Sequence, residues 1–402
     1  MNKLLLSAFV SLLLLPSCDT IKTIKMINDG EVEQKEFNVT IPFEYRLGLI
    51  VLKVTISGEE YDFLLDTGAP NVLSEKLAQK LELDNITEQN VGDSQGESDD
   101  LGFTTIEKLS IGGIHFLNTG AAIADLSLSK DVACLKVDGL VGSNLMKRAI
   151  WKFDYQNQLI TITSSLDSLN LPISTQKVSF STEFVTKRPL LNIKLNDVKE
   201  KKITIDLGSN GDIILSKDTY DALMEKHSSI AQARSYGSAA SGLYGMGEID
   251  SSYITHYVKV PNVSFGDISL ENTIVMFTDK TSSTIGTDFF KNYDLVMNWF
   301  TKEMLLVEKE KYDNSTLSTL GFVHSNQENR LIVSKLYENN KSLELGDQIL
   351  TINDVNYAEL SEGQWCDILE NELSEKEKEE ISIRILRDGK ELSYTLKKID
   401  LL

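Results

Sequence analysis

The sequence predicts an all-β protein made of two related β units followed by a smaller third one. Three observations carry this. From about residue 39 onward, short runs rich in β-branched, aliphatic and aromatic residues alternate with turn residues. An apolar strand running into an Asp-x-Gly turn and then a helix-like segment occurs twice, about 140 residues apart. A polar stretch between Glu308 and Ser318 then separates the repeats from a further patterned segment. A length of 402 residues allows two to four domains, and 41% apolar with 25% charged residues is the mix of a globular chain.

The first element is an address. Lys3 precedes an apolar run through Leu15, which ends in Leu15-Pro16-Ser17-Cys18. Residues 1–17 therefore read as a secretory signal peptide. The run is shorter than the roughly 20 apolar residues that a membrane-spanning helix needs. Its ending resembles a bacterial lipobox, which implies lipidation of Cys18. A lipid anchor would hold the protein at the cell envelope, on the periplasmic face or the outer-membrane surface. Residues 18–38 are expected to be a tether. Cys134 and Cys366 lie far apart in the chain and are read as unpaired, because spacing alone supports no bridge.

The first β unit is assigned to residues 39–170 and the second to 171–310. Val51–Ile56 leads through Ser57-Gly58 to Tyr61-Asp62-Phe63-Leu64-Leu65-Asp66-Thr67-Gly68-Ala69 and the helix-like Ser74–Leu83. Leu191–Leu195 leads through Asn196-Asp197 to Ile203-Thr204-Ile205-Asp206-Leu207-Gly208-Ser209 and the helix-like Ser216–Lys226. Gly139-Leu140-Val141-Gly142 and Thr284-Ile285-Gly286 repeat a second element. Strand pairs at Trp151–Thr163 and Leu295–Val307 close the two units.

An apolar strand ending in Asp-Thr-Gly presents one carboxylate at a tight turn, where threonine bonds locally and glycine permits unusual backbone angles. Two such turns facing each other would pair Asp66 with Asp206. Two adjacent carboxylates cannot both ionise cheaply, so they share one proton. The ionised partner can then take a proton from water while the protonated one donates to a carbonyl. Such chemistry needs neither cofactor nor metal, and it suits a chain with only four histidines and three cysteines.

The run Phe63-Leu64-Leu65-Asp66-Thr67-Gly68-Ala69 resembles the active-site motif of retropepsin-like aspartyl proteases. Leu140-Val141-Gly142 and Thr284-Ile285-Gly286 are similar to that family's second motif, which packs under the catalytic turn. The resemblance spans about residues 40–308. It implies two acid-protease β-barrel lobes with a cleft between them, hairpin flaps, and peptide or protein substrates. It makes Asp66 and Asp206 the catalytic pair, supported by Thr67, Gly68, Gly208 and Ser209. The second turn departs from the pattern by carrying Leu207 in place of the hydroxyl residue. Threonines cross-link the turns in the family, so Thr67 is expected to need another partner. A dyad within one chain is the leading expectation. A homodimer pairing Asp66 with its own copy and an inactive peptide-binding scaffold are the alternatives. Val91–Gly102 and Tyr236–Gly245 are expected to be the flaps.

Residues 316–400 are similar to PDZ domains. Thr319-Leu320-Gly321-Phe322 resembles their carboxylate-binding loop, and Ser342–Asp354 their Leu-x-x-Gly-Asp-x-Ile-x-x-Ile-Asn run. That resemblance implies peptide binding at Leu320, Gly321 and Phe322, with docking onto the protease as the alternative. Trp365 is expected in the core. The charged run Glu372–Glu380 is expected to be a solvated helix or loop.

Other function classes fall away. A net charge of −20 with no basic patch disfavours nucleic acid. Gly-x-Ser-x-Gly, His-Glu-x-x-His and a phosphate-binding glycine loop with lysine do not occur.

Overall fold

The computed structural model describes residues 18–92, 98–237, 251–279, 282–353, 355–371 and 378–402. The first of its sheets has nine strands and is built from residues 31–142. Strands Leu49–Ile56 and Glu59–Asp66 form an antiparallel hairpin. Ser57 and Gly58 turn it with positive φ angles of 52° and 83°. Along the second strand Phe63 and Leu65 point into the main core, while Leu64 faces a second cluster with Leu49, Val51 and Val72. Burial on both faces explains why Phe63-Leu64-Leu65 is continuously apolar. The buried strand Gly139–Gly142 lies parallel to it, with Gly142 opposite Asp66.

The second repeat folds in the same order. Pro189–Leu195 pairs antiparallel with Val198–Ile205, and Thr284–Ile285 runs parallel beside Thr204–Ile205. The two closing strand pairs meet in one six-stranded sheet. Ile150–Asp154 runs antiparallel to Tyr293–Asn298, with Trp151 opposite Met297. Trp151, Phe153, Met297 and Leu306 are fully buried, and each such side chain contributes about 1.5–3 kcal/mol. One apolar core therefore runs from Phe63 and Val141 through Trp151 to Ile205, Leu207 and Ile285.

Two expectations are corrected. Residues 18–38 are not a free tether. Cys18–Asn28 is a helix that buries Thr23, Met26 and Ile27, and Glu31–Val32 pairs with Phe116 and Leu117. Thr23, Met26 and Ile27 recur at helical spacing, which gives this segment one face to bury. Thr23 Oγ1 also bonds Thr87 Oγ1 at 2.7 Å.

The second correction concerns cysteine. Cys134 and Cys366 form a disulfide across 232 residues of sequence. Their partnership is tertiary and leaves no trace in local spacing. Cys134 belongs to the short helix Lys130–Leu135, and Cys366 to the helix Glu362–Asn371. Trp365 beside it is buried, as expected, and its Nε1 donates to Asp131 at 2.9 Å. Lys130 Nζ reaches Asn326 and Asn329 at 3.2 and 2.8 Å.

The C-terminal unit holds strands Phe322–Gln327, Arg330–Tyr337, Gln348–Ile352, Glu380–Arg387 and Lys390–Lys397 around Leu331, Val333, Ile349, Ile383 and Trp365. Gly346 turns with φ +90°, and Asp347 beside it is buried under two bonds from Arg387 at 2.7 and 2.6 Å. This unit joins the second repeat directly. Strand Gln232–Gly237 pairs with Arg330–Tyr337, setting Ser235 opposite Tyr337, and a fourteen-stranded sheet results.

Candidate active site

The turns after Glu59–Asp66 and Val198–Ile205 meet above the shared core. Each carboxylate is held in its own turn by a backbone amide. Gly68 N–H donates to Asp66 Oδ1 at 2.7 Å, and Gly208 N–H to Asp206 Oδ1 at 3.0 Å. Each carboxylate also lies over the opposite glycine. A Cβ on Gly68 would stand 2.9 Å from the Asp206 carboxylate, and one on Gly208 would stand 2.3 Å from Asp66 Cγ. Both are closer than real Cβ contacts come, so the approach requires glycine in both turns. The two carboxyl groups are thereby brought close enough for each to act on the other's ionisation.

Thr67 ties the turns together from below. Its buried hydroxyl donates to the Ile205 carbonyl at 2.6 Å and accepts from Leu207 N–H at 2.9 Å. Its partners are therefore backbone groups flanking Asp206, and it has no need of a hydroxyl at position 207. The other partner that Thr67 was expected to need, with Leu207 lacking a hydroxyl, is this backbone. Leu207 itself is fully buried in the main core, where an apolar side chain packs well.

Two further residues fix the turns, and both were missed from sequence. Ser143 Oγ donates to the Thr67 carbonyl at 2.6 Å. Thr287 donates to the Ser209 carbonyl twice, from N–H at 2.8 Å and from Oγ1 at 3.0 Å. They follow Gly142 and Gly286, so a hydroxyl after each repeated apolar-Gly element was the available signal. Ser209 contributes its carbonyl here, and its Oγ accepts from Gly211 N–H at 3.3 Å.

Electrostatically, burial pushes both carboxyl groups above the ordinary carboxylate range. For Asp66 the adjacent Asp206 charge adds to that rise, against the Gly68 and Ala69 amides. For Asp206 the Gly208 amide, the Asp66 carboxyl and the Arg188 guanidinium pull back against burial. The pair thus retains a proton at pH values where isolated carboxylates have lost theirs. Among the described residues no group of three or more His, Cys, Asp or Glu could hold a metal ion.

Residues 52–145 match the family model described as Aspartyl protease. That stretch takes in Asp66-Thr67-Gly68 and Leu140-Val141-Gly142. Among solved structures, a retropepsin-like aspartic protease from Rickettsia conorii is similar at 21% identity. The match covers 34% of this chain and 93% of that one, with a TM-score of 0.24. No curated protein matches.

The remaining predicted positions fall elsewhere. Thr87–Gly92 and Ser98–Ile111 form an antiparallel hairpin at the first expected flap, with Gly92 opposite Ser98. The second expected flap begins in strand Gln232–Gly237, and the rest of Tyr236–Gly245 lies outside the described residues. Residues 372–377 of the charged run also lie outside them. At the C-terminal unit, Gly321 has φ +91°. Its N–H donates to Thr319 Oγ1 at 3.0 Å, and its carbonyl accepts from Tyr337 N–H at 3.0 Å. Phe322 is buried, and Leu320 packs half-buried against the same core. Cys18 opens the N-terminal helix.

Proposed function

We propose that the chain is an aspartic endopeptidase whose single active site is the Asp66–Asp206 pair, formed within one chain between two retropepsin-like lobes. The observation that carries this is the crossing of the carboxylates, each lying against the other turn's glycine. In this reading the ionised carboxylate takes a proton from a bound water, whose oxygen attacks the peptide carbonyl carbon. The protonated carboxyl gives its proton to the carbonyl oxygen. The resulting diol collapses as the first carboxyl protonates the amide nitrogen, the C–N bond breaks, and a diol proton returns to the second carboxylate. No group is consumed.

The Thr67 bridge to the backbone of the second turn favours this reading over an inactive scaffold. The pairing of Asp66 with Asp206 of the same chain favours it over a homodimer. For the C-terminal unit the proposal is a PDZ-like module. Its helix is bonded to the first repeat through Cys366, which supports a docking role. Peptide capture at Leu320–Phe322 would require a terminal carboxylate to displace the Thr319 hydroxyl from Gly321 N–H. We further propose lipidation at Cys18 and residence at the cell envelope. An oxidising compartment outside the cytosol fits the disulfide.

The test is cleavage of an unstructured protein such as casein by the chain lacking residues 1–17. Asp66→Asn and Asp206→Asn should each abolish it. Full cleavage by Asp206→Asn would rule out the intramolecular pair. For the anchor, Cys18→Ser should move the full-length protein from the membrane to the soluble fraction.

A further inference from the structure

We propose that the Cys134–Cys366 disulfide latches helix Lys130–Leu135 of the first repeat beside strand Phe322–Gln327. An extended peptide adds to that strand only once the latch is opened. The inference rests on the PDZ-like reading for its ligand and is independent of the aspartate pair. Its basis is what flanks the strand. Phe322–Gln327 pairs antiparallel with Arg330–Tyr337 and, among the described residues, with no other strand. One row of its backbone groups is thus placed to receive an added strand. His324 and Asn326, two residues apart, lie on one face of it. The His324 ring meets the Trp365 ring edge-on at 6.1 Å, so the strand and helix Glu362–Asn371 flank each other.

Helix Lys130–Leu135 touches both flanks. Its first residue bonds Asn326 on the strand and Asn329 in the turn after it. Asp131 accepts from Trp365 Nε1, and Cys134 is joined to Cys366 within the cluster that holds Phe322 and Ile368. A peptide lying between strand and helix would meet this segment. On its other side the short helix belongs to the first repeat. Val132 and Leu135 pack with Phe103, Leu126 and Leu140, and Arg46 donates to the Leu135 carbonyl at 3.0 Å. The C-terminal unit has a second attachment, the pairing of Ser235–Gly237 with Lys335–Tyr337 and the Arg234–Glu338 ion pair at 2.8 Å. Opening the disulfide spares that attachment, so the unit can draw away from the helix while still held to the second repeat.

The opening step needs a dithiol reductant. Cys134 is buried and Cys366 only half-buried, so an incoming thiolate attacks the Cys366 sulfur. The S–S bond breaks, Cys134 leaves as a thiolate, and the reductant forms a mixed disulfide with Cys366. Its second thiolate then displaces Cys366. The dithiol ends as a disulfide, and its two protons end on Cys134 and Cys366.

The experiment uses the chain lacking residues 1–17 and carrying Cys18→Ser, so that only the two bonded cysteines remain. The probe is a pool of fluorescein-labelled decapeptides ending in Val, Leu or Phe with the carboxylate free, since Leu320 and Phe322 make the loop apolar. Fluorescence anisotropy measures binding to the oxidised chain, to the chain reduced with dithiothreitol, and to Cys134→Ser without reductant. Binding should be at least tenfold tighter in the last two. Hydrogen exchange in Glu362–Asn371 should quicken on reduction, while Gln232–Gly237 stays as protected as before. Equal affinity with and without dithiothreitol overturns the inference, as does unchanged exchange in Glu362–Asn371 after both thiols are released. Faster exchange with no peptide bound in either state would instead overturn the PDZ-like reading and leave the latch standing.

Discussion

Thr67→Val tests the architecture of the site most directly. Valine keeps the volume and branching of threonine, so no cavity opens, but the hydroxyl and both its bonds are lost. The groups left behind are the Ile205 carbonyl and the Leu207 amide, contributed by two fully buried residues. An orphaned buried polar group costs about 1–3 kcal/mol, so the substitution should destabilise this region by about 2–5 kcal/mol. Thr67→Ser is the control. It retains the hydroxyl and loses one methyl, which costs on the order of 1 kcal/mol. Urea unfolding followed by tryptophan fluorescence reads both, because Trp151 and Trp299 lie in the shared core. The valine variant should unfold at distinctly lower urea than the serine variant and lose most peptidase activity. Equal midpoints for the two variants would refute the claim that the hydroxyl, rather than the side-chain volume, joins the turns.

Other substitutions probe other parts. Gly208→Ala should cut activity at least tenfold with little change in overall fold, since its Cβ would stand 2.3 Å from Asp66 Cγ and must push the carboxylate aside; casein cleavage and circular dichroism check this. Leu207→Thr gives the second turn a hydroxyl but replaces a fully buried leucine. It should lower stability by about 1–3 kcal/mol net, read as a lower urea midpoint, because lost packing exceeds one or two gained hydrogen bonds. Cys134→Ser should loosen the C-terminal unit from the first repeat, read as faster hydrogen exchange in Glu362–Asn371, while leaving the Asp66–Asp206 site assembled. Asp212, which accepts from Tyr312 Oη at 2.8 Å, is pushed up to about 6, chiefly by burial. A raised carboxyl favours the protonated native state, so its contribution to stability is lost as pH rises from about 4 through 6. Asp212→Asn should flatten that part of the stability profile, measured by thermal melts across the range.

Much of the site was legible because its chemistry is local. Asp66, Thr67, Gly68, Asp206 and Gly208 sit where a strand must turn, and the repeat itself announced that they belong together. The apolar-Gly elements were legible for the same reason, since a fully buried parallel strand admits only such residues. The turn before Gln348–Ile352 was also legible, because Gly346 and Asp347 carry the conformation and the Arg387 partnership that such a turn needs. Contacts set by tertiary packing were not. Nothing near Cys134 points to Cys366. Nothing in Gln232–Gly237 announces Arg330–Tyr337 as a partner strand. Ser143 and Thr287 carry bonds to carbonyls some 76 residues upstream. Leu207 was the instructive case: the missing hydroxyl was plain in the sequence, but Thr67 bonds to backbone, and backbone is present whatever the side chain.

The disulfide has a topological consequence. By joining Cys134 to Cys366 it closes the chain into a covalent ring that contains the whole second repeat, including Asp206 and the strand that meets the C-terminal unit. A single cut anywhere inside that ring opens it without releasing either end. Self-cleavage there, or nicking by another protease, would yield two polypeptides that travel as one under oxidising conditions and part only on reduction. Both aspartates would stay on the same covalent assembly throughout.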